Sequence, residues 1–220
     1  MSAGPILEPL PGGGGRRSLV VVSAGLRQPS STRLLADRLG AATVQALREG
    51  GTEVDVTVVE VREHAHALVD ALATGFASPA LRAALDAVAG ADGVVAVSPV
   101  FTGSYSGSFK SFFDVLEEGA LAGTPVLLGA TAGTARHSLA LEHALRPLFA
   151  HLRTLTVPTG VFGATEDFGA GDAQTALARR VLRAGGELAA LVRTRAPRPA
   201  GTDALPAPVT SFEQLLAGRP

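Results

Sequence analysis

The sequence predicts an α/β protein built on a five-stranded parallel sheet with helices on both faces. Three observations carry that expectation. Short apolar runs of Val, Leu and Ala recur along the chain, the pattern of strands covered on both sides. Segments with helical spacing of apolar residues separate them. Glycine, proline and hydroxylated residues gather directly behind the runs, where a doubly wound sheet binds its ligands.

The first strand is Leu19 to Val22, and the helix after it runs from Ser31 to Glu49. Leu35, Leu39, Ala42 and Ala46 form its apolar stripe, and Gly50-Gly51 stops it. Val54 to Val61, with Val54, Val56 and Val58 alternating, is the second strand. Ser78-Pro79 supplies cap and first turn for a helix reaching Val88. Gly93 to Val97 is the third strand, followed by a helix from Gly107 to Leu116. Thr124 to Leu128 is the fourth, followed by a helix from His137 to Leu152. A short fifth strand, Thr154 to Val157, precedes a last helix from Asp172 to Arg193. These elements make one domain over 18–195. Residues 1–17, with Pro5, Pro9, Pro11 and Gly12 to Gly15, read as a flexible leader. Residues 196–220 read as a Pro-rich extended tail, with an amphipathic turn or two between Thr210 and Leu216.

Composition narrows the function classes. The 19 basic and 20 acidic residues leave a net charge of −1, so no basic stripe for nucleic acid is expected. No cysteine is present, which excludes thiol redox chemistry, thiolate metal sites and disulfides. No apolar run has the length of a membrane span or the form of an export signal, so the expectation is a cytoplasmic protein that does not meet a membrane.

Chemistry concentrates in three loops. The first is Ser23-Ala24-Gly25-Leu26-Arg27-Gln28-Pro29-Ser30-Ser31-Thr32, between a buried strand and a helix start. A helix N-terminus offers unpaired N–H groups and partial positive charge, which favour a phosphate. Ser30, Ser31 and Thr32 add hydroxyls, and Arg27 adds a permanently charged fork. One of the serines can instead serve only as a helix cap. Neither Gly-Lys-Ser/Thr nor Gly-x-Gly-x-x-Gly is present, which argues against an ATPase and against a dinucleotide-binding Rossmann site.

The second loop is Ser98 to Gly107, where Pro99, Val100, Phe101, Thr102, Gly103, Ser104 and Tyr105 bring backbone and aromatic surface to a flat ligand. Phe109, Phe112 and Phe113 behind it read as core, and Lys110 with Asp114 as an intrahelical ion pair. The third loop, Ala130 to Ser138, presents small residues at Thr131, Ala132, Gly133 and Thr134. Arg136 and His137 follow, and no carboxylate is in sequence to orient the histidine. Glu166-Asp167 are two adjacent carboxylates without further ligands, so no metal is expected there.

With these loops the chain resembles the flavodoxin-like NADPH-dependent FMN reductase family over about residues 18–192. The family's Gly-Ser-x-Arg-x-x-Ser-x-Asn/Thr loop, which holds the FMN phosphate, is matched by Arg27, Ser30 and Thr32. Gly25 stands where the family has its first serine, with Ser23 as the neighbouring hydroxyl. The family's Pro-x-Tyr-Asn-Gly-Ser loop, which lies along the flavin ring, is similar to Pro99-Val100-Phe101-Thr102-Gly103-Ser104. Its Gly-rich third loop is similar to Thr131-Ala132-Gly133-Thr134, and Ala135 to Leu141 resembles a branch that supplies reduced FMN to luciferase-like monooxygenases.

The resemblance implies a flavodoxin-like three-layer sandwich with strand order 2-1-3-4-5. It implies hydride transfer from NADPH or NADH to FMN and on to free flavin or another acceptor, with no catalytic side chain because the flavin carries the chemistry. It also implies a homodimer or homotetramer and a flavin-dependent monooxygenase as partner. The other readings are a quinone or azo-dye reductase on the same scaffold, and a flavodoxin-type electron carrier. Arg27 and the near-neutral charge argue against the carrier.

Overall fold

The computed structural model describes residues 16–169 and 171–195. The leader expected over 1–17 lies outside the described residues up to residue 15, and the tail expected over 196–220 lies outside them entirely. The elements are β1 (Arg17–Ser23), α1 (Ser31–Glu49), β2 (Val54–Glu60), α2 (Ala65–Thr74), α3 (Pro79–Ala89), β3 (Gly93–Phe101) and β4 (Ser104–Tyr105). They continue with α4 (Gly107–Asp114), β5 (Pro125–Ala132), α5 (Arg146–His151), β6 (Leu155–Thr156), β7 (Val161–Ala164) and α6 (Asp172–Thr194).

The sheet has seven strands along the order β2-β1-β3-β5-β6, with β7 also on β5 and β4 on β3. The five principal positions keep the expected order 2-1-3-4-5, and the pairings are parallel apart from β3 with β4. The difference from five strands has two physical sources. The fifth position is shared: β6 pairs with Pro125 and Val126 at the start of β5, and β7 pairs with Gly129 to Ala132 at its end. Between them Pro158 has no N–H to give the ladder, and Thr159 donates its N–H (2.8 Å) and hydroxyl (2.7 Å) to the Glu187 carboxylate of α6. The second source is β4, which folds back on β3 through a two-residue turn at Thr102 and Gly103.

Two helical segments also differ from expectation. α2 was not expected; its N-terminus has no side-chain cap and apolar residues surround it, so no stripe marks it. The helix expected from His137 to Leu152 is instead a 3-10 turn at Ala135–His137, a π-helical turn at Leu141–Leu145 and then α5. Pro147 explains the widened turn, because it lacks an N–H and its ring crowds the carbonyl four residues earlier.

Strand residues alternate between two apolar layers. Val20, Val22, Val94, Ala96, Val126 and Leu128 face α2 to α5, while Leu19, Val21, Val95, Val97 and Leu127 face α1 and α6. Phe109, Phe112 and Phe113 are buried as expected, with the Phe113 ring 4.8 Å from Phe109 and 4.9 Å from Phe149. Ser23, Val97, Gly129 and Val161 stand in one row across the sheet. The loops beyond that row therefore leave the sheet on one rim.

Candidate functional site

A cleft of about 570 Å³ opens on that rim. One wall is Leu26, Arg27 and Pro29 with Ser30, Ser31 and Thr32 of the first turn of α1. Pro99, Val100 and Phe101 at the end of β3 and Thr131, Ala132 and Gly133 at the end of β5 form the next two. The last is Thr165 and Phe168, from a 3-10 turn directly after β7. All three expected loops thus meet in one cavity, whose size is ordinary for a small-molecule site.

The first wall carries the positive charge. Ser30 is the helix cap: its extended backbone ends the loop and its hydroxyl accepts from the Arg33 N–H at 3.2 Å. The backbone N–H groups of Ser31 and Thr32 have no acceptor among the described residues, as the first turn of a helix leaves them. Arg27 is exposed and unpaired among the described residues, whereas Arg33 and Arg62 both bind the Glu60 carboxylate. The hydrogen bond that Arg33 donates to Asp37 and then, against burial, the one it donates to Glu60 hold its guanidinium above the ordinary range, so its charge is committed to carboxylates. Among the described residues no carboxylate lines the cleft itself. Arg27 is the cation left for a ligand.

Gly25 does not line the cleft, but it shapes the wall: a Cβ there would lie 2.1 Å from the Ser30 hydroxyl oxygen. Ser30 therefore fills the space a side chain at position 25 would take. Ser23 is fully buried at the end of β1, and its hydroxyl has no hydrogen-bond partner among the described residues. Thr32 and Thr131 are buried and share a 2.7 Å hydroxyl–hydroxyl hydrogen bond that joins the first loop to the third.

The second loop divides. Phe101 is 46% exposed on the cleft wall, while Thr102 and Gly103 form the tip of the β3–β4 hairpin, outside the cavity. Ser104 pairs with Phe101 across that hairpin, and Tyr105 turns inward, its ring 6.0 Å from Phe109. In the third loop Thr134 also stands outside the cavity; its hydroxyl accepts from the Arg136 N–H at 3.4 Å and caps the exposed 3-10 turn that holds Arg136 and His137.

Thr165 and Phe168 were not among the residues the sequence singled out. Phe168 packs over Gly163, where a Cβ would lie 2.8 Å from its ring, and under the Arg38 guanidinium, 5.5 Å from the ring centroid. The signal was the run Val161-Phe162-Gly163-Ala164, too short to compete with the earlier strand candidate. Beside it, Asp167 accepts from the Ala164 N–H at 2.8 Å and stands 3.6 Å from Arg180. Its carboxylate holds the turn.

The free N–H pair at α1, the unpaired Arg27 and the exposed ring of Phe101 suit a ligand with a phosphate at one end and a flat aromatic system at the other. That donor set fits FMN. Fold and cleft together define a flavodoxin-like α/β protein with a cleft at the C-terminal rim of its sheet. Solved structures agree: an oxidoreductase from Corynebacterium diphtheriae superposes with a TM-score of 0.80 at 45% identity, covering 82% of this chain and 99% of that one. An NADH:FMN oxidoreductase (EmoB) follows at 0.64 and 27% identity, over 77% of this chain and 88% of that one.

The sequence model of the NADPH-dependent FMN reductases matches residues 18–169, and the chain belongs to that family. An FMN reductase (NADPH) of Pseudomonas aeruginosa is 42% identical over 150 residues, 68% of this chain and 78% of that protein. An NADH-dependent FMN reductase, SfnF, of Pseudomonas putida is 40% identical over the same shares. Among the described residues no helix is long and apolar enough to cross a membrane.

Proposed function

We propose that this protein transfers reducing equivalents from NADPH or NADH to FMN. The carrying observation is the cleft, free of carboxylates among the described residues, where Arg27 and the first turn of α1 offer unpaired donors beside the ends of β3 and β5. Bound there, the flavin supplies the redox chemistry. Arg27 and the N–H groups of Ser31 and Thr32 hold its phosphate by charge-assisted bonds. The strand end at Pro99 to Phe101 and the backbone of Ala132 and Gly133 hold its ring, and Phe168 closes the far wall. The side chains' contribution to rate is placement, which aligns the nicotinamide with the ring and excludes water from the contact.

The mouth is flanked by exposed apolar residues, Leu26 and Phe101, which supports exchange of flavin with solution. In this reading the reducing equivalents go on to free flavin, or FMN leaves in reduced form for a flavin-dependent monooxygenase; a homodimer or homotetramer, in the cytoplasm where nicotinamide nucleotides are supplied, completes the proposal. FMN and riboflavin titrations of wild type and Arg27→Ala test the reading. The expected result is an FMN Kd raised about tenfold with riboflavin unchanged, the loss of one charge-assisted bond. Equal FMN affinity in both proteins would overturn the phosphate assignment. Anaerobic mixing with NADPH and with NADH should bleach the flavin, and no bleaching with either would overturn the activity.

A further inference from the structure

We propose that Thr131 positions the phosphate end of the flavin by acting through Thr32, although it stands on the loop that serves the ring. This rests on the FMN reading above. The two hydroxyl oxygens are 2.7 Å apart across 99 residues of sequence, and the side chains belong to residues only 3% and 2% exposed. Neither hydroxyl has a second hydrogen-bond partner among the described residues.

Proton accounting gives the pair a direction. Two hydroxyls carry two protons, and only one proton can lie between the oxygens. The other is a donor sheltered from bulk water, and leaving it without an acceptor is costly. Both residues line the cleft, so the ligand is the acceptor within reach. If Thr32 donates to Thr131, the free proton sits on Thr131. If Thr131 donates to Thr32, it sits on Thr32, in the first turn of α1 beside the free N–H groups of Ser31 and Thr32.

A phosphate at that helix end selects the second arrangement, because a hydrogen bond to an anion is the stronger of the two. Thr131 then donates to Thr32 and strengthens its donor, as hydrogen bonds in a chain polarise one another. A flavin without a phosphate exerts no such selection. The Thr131 hydroxyl therefore contributes to the preference for FMN over riboflavin.

The test measures dissociation constants of FMN and riboflavin, by flavin fluorescence, for wild type, Thr131→Val, Thr131→Ser, Thr32→Val and the double valine variant. Wild type should prefer FMN. Thr131→Val should lower that preference about tenfold, leave riboflavin within about twofold, and be rescued by Thr131→Ser. The double variant should lose no more preference than Thr32→Val alone, since both changes break one chain of bonds.

Equal weakening of both flavins by Thr131→Val, or an unchanged preference, would overturn the inference and leave the FMN reading standing. A wild type with no preference for FMN would overturn both. If circular dichroism shows that Thr131→Val does not fold, Thr131→Ala compared with Thr131→Ser reads the same ratio.

Discussion

Thr102 holds a β-branched side chain at φ 50, next to Gly103 at φ 83, in the turn between β3 and β4. A two-residue hairpin turn with both positions left-handed is the type that Asn-Gly fills with least strain, and threonine there is strained. Thr102→Asn should therefore stabilise the protein by about 0.5–1 kcal/mol and raise Tm by about 1–4 °C in a thermal melt. A lower Tm would show that the threonine makes a compensating contact. The Glu142 carboxylate is held below its ordinary range, first by the hydrogen bond from Arg146 and then, against burial, by that cation's charge. A depressed carboxylate adds stability above its unfolded value and loses it as pH falls through the folded one. Its side chain is 50% exposed, so solvent screening keeps the contribution to a few tenths of a kcal/mol. Glu142→Gln should lower the urea midpoint slightly at neutral pH, and the difference from wild type should begin to shrink as pH falls past the ordinary glutamate value of about 4.3 and disappear only below the lowered folded one.

Two neighbouring glycines in α6 carry opposite expectations. A Cβ on Gly185 would lie 2.8 Å from the Ala42 carbonyl carbon and 2.9 Å from the Thr43 nitrogen, both backbone of α1. Gly185→Ala should cost about 1–3 kcal/mol by forcing the helices apart, although alanine is the better helix former. A Cβ on Gly186 meets nothing within 4 Å, so Gly186→Ala should gain up to about 1 kcal/mol. Urea denaturation of the two variants measures the contrast, and the same sign for both would refute it. The elements with strong local signals were legible in the sequence: α1 with a serine cap, which the structure assigns to Ser30, α3 with Ser78-Pro79, and β1 and β3 as unbroken apolar runs. α2 and β7 were not. One is a helix without a cap or a stripe, and the other is a strand of four residues whose partner, the end of β5, is supplied only by the sheet.

At the scale of the molecule, the rim opposite the cleft is closed by a buried ion pair. Arg17 and Asp92 are 5% and 7% exposed, and the guanidinium bonds Asp92 at 3.2 Å and the Arg195 carbonyl at 2.7 Å. It ties the start of β1, the approach to β3 and the end of α6. Asp92→Ala leaves a buried cation without its carboxylate and frees the Ser18 N–H that it accepts at 2.8 Å, so stability should fall by about 3–5 kcal/mol in urea. A loss under about 1 kcal/mol would show that water reaches the site. The sequence by itself determined the layered α/β fold and the place of the β1-to-α1 loop proposed to hold phosphate, because strand runs, helix caps and a strand-to-helix turn are written in neighbouring residues. It also picked the residues of β3 and β5 that reach the cleft. Only the tertiary structure decided which hydroxyls are free. Thr32 is joined to Thr131, Ser30 fills the space beside Gly25, Tyr105 turns into the core, and Thr165 and Phe168 complete the wall. Those outcomes depend on the register row from Ser23 to Val161, which brings distant segments of the chain to one edge of the sheet.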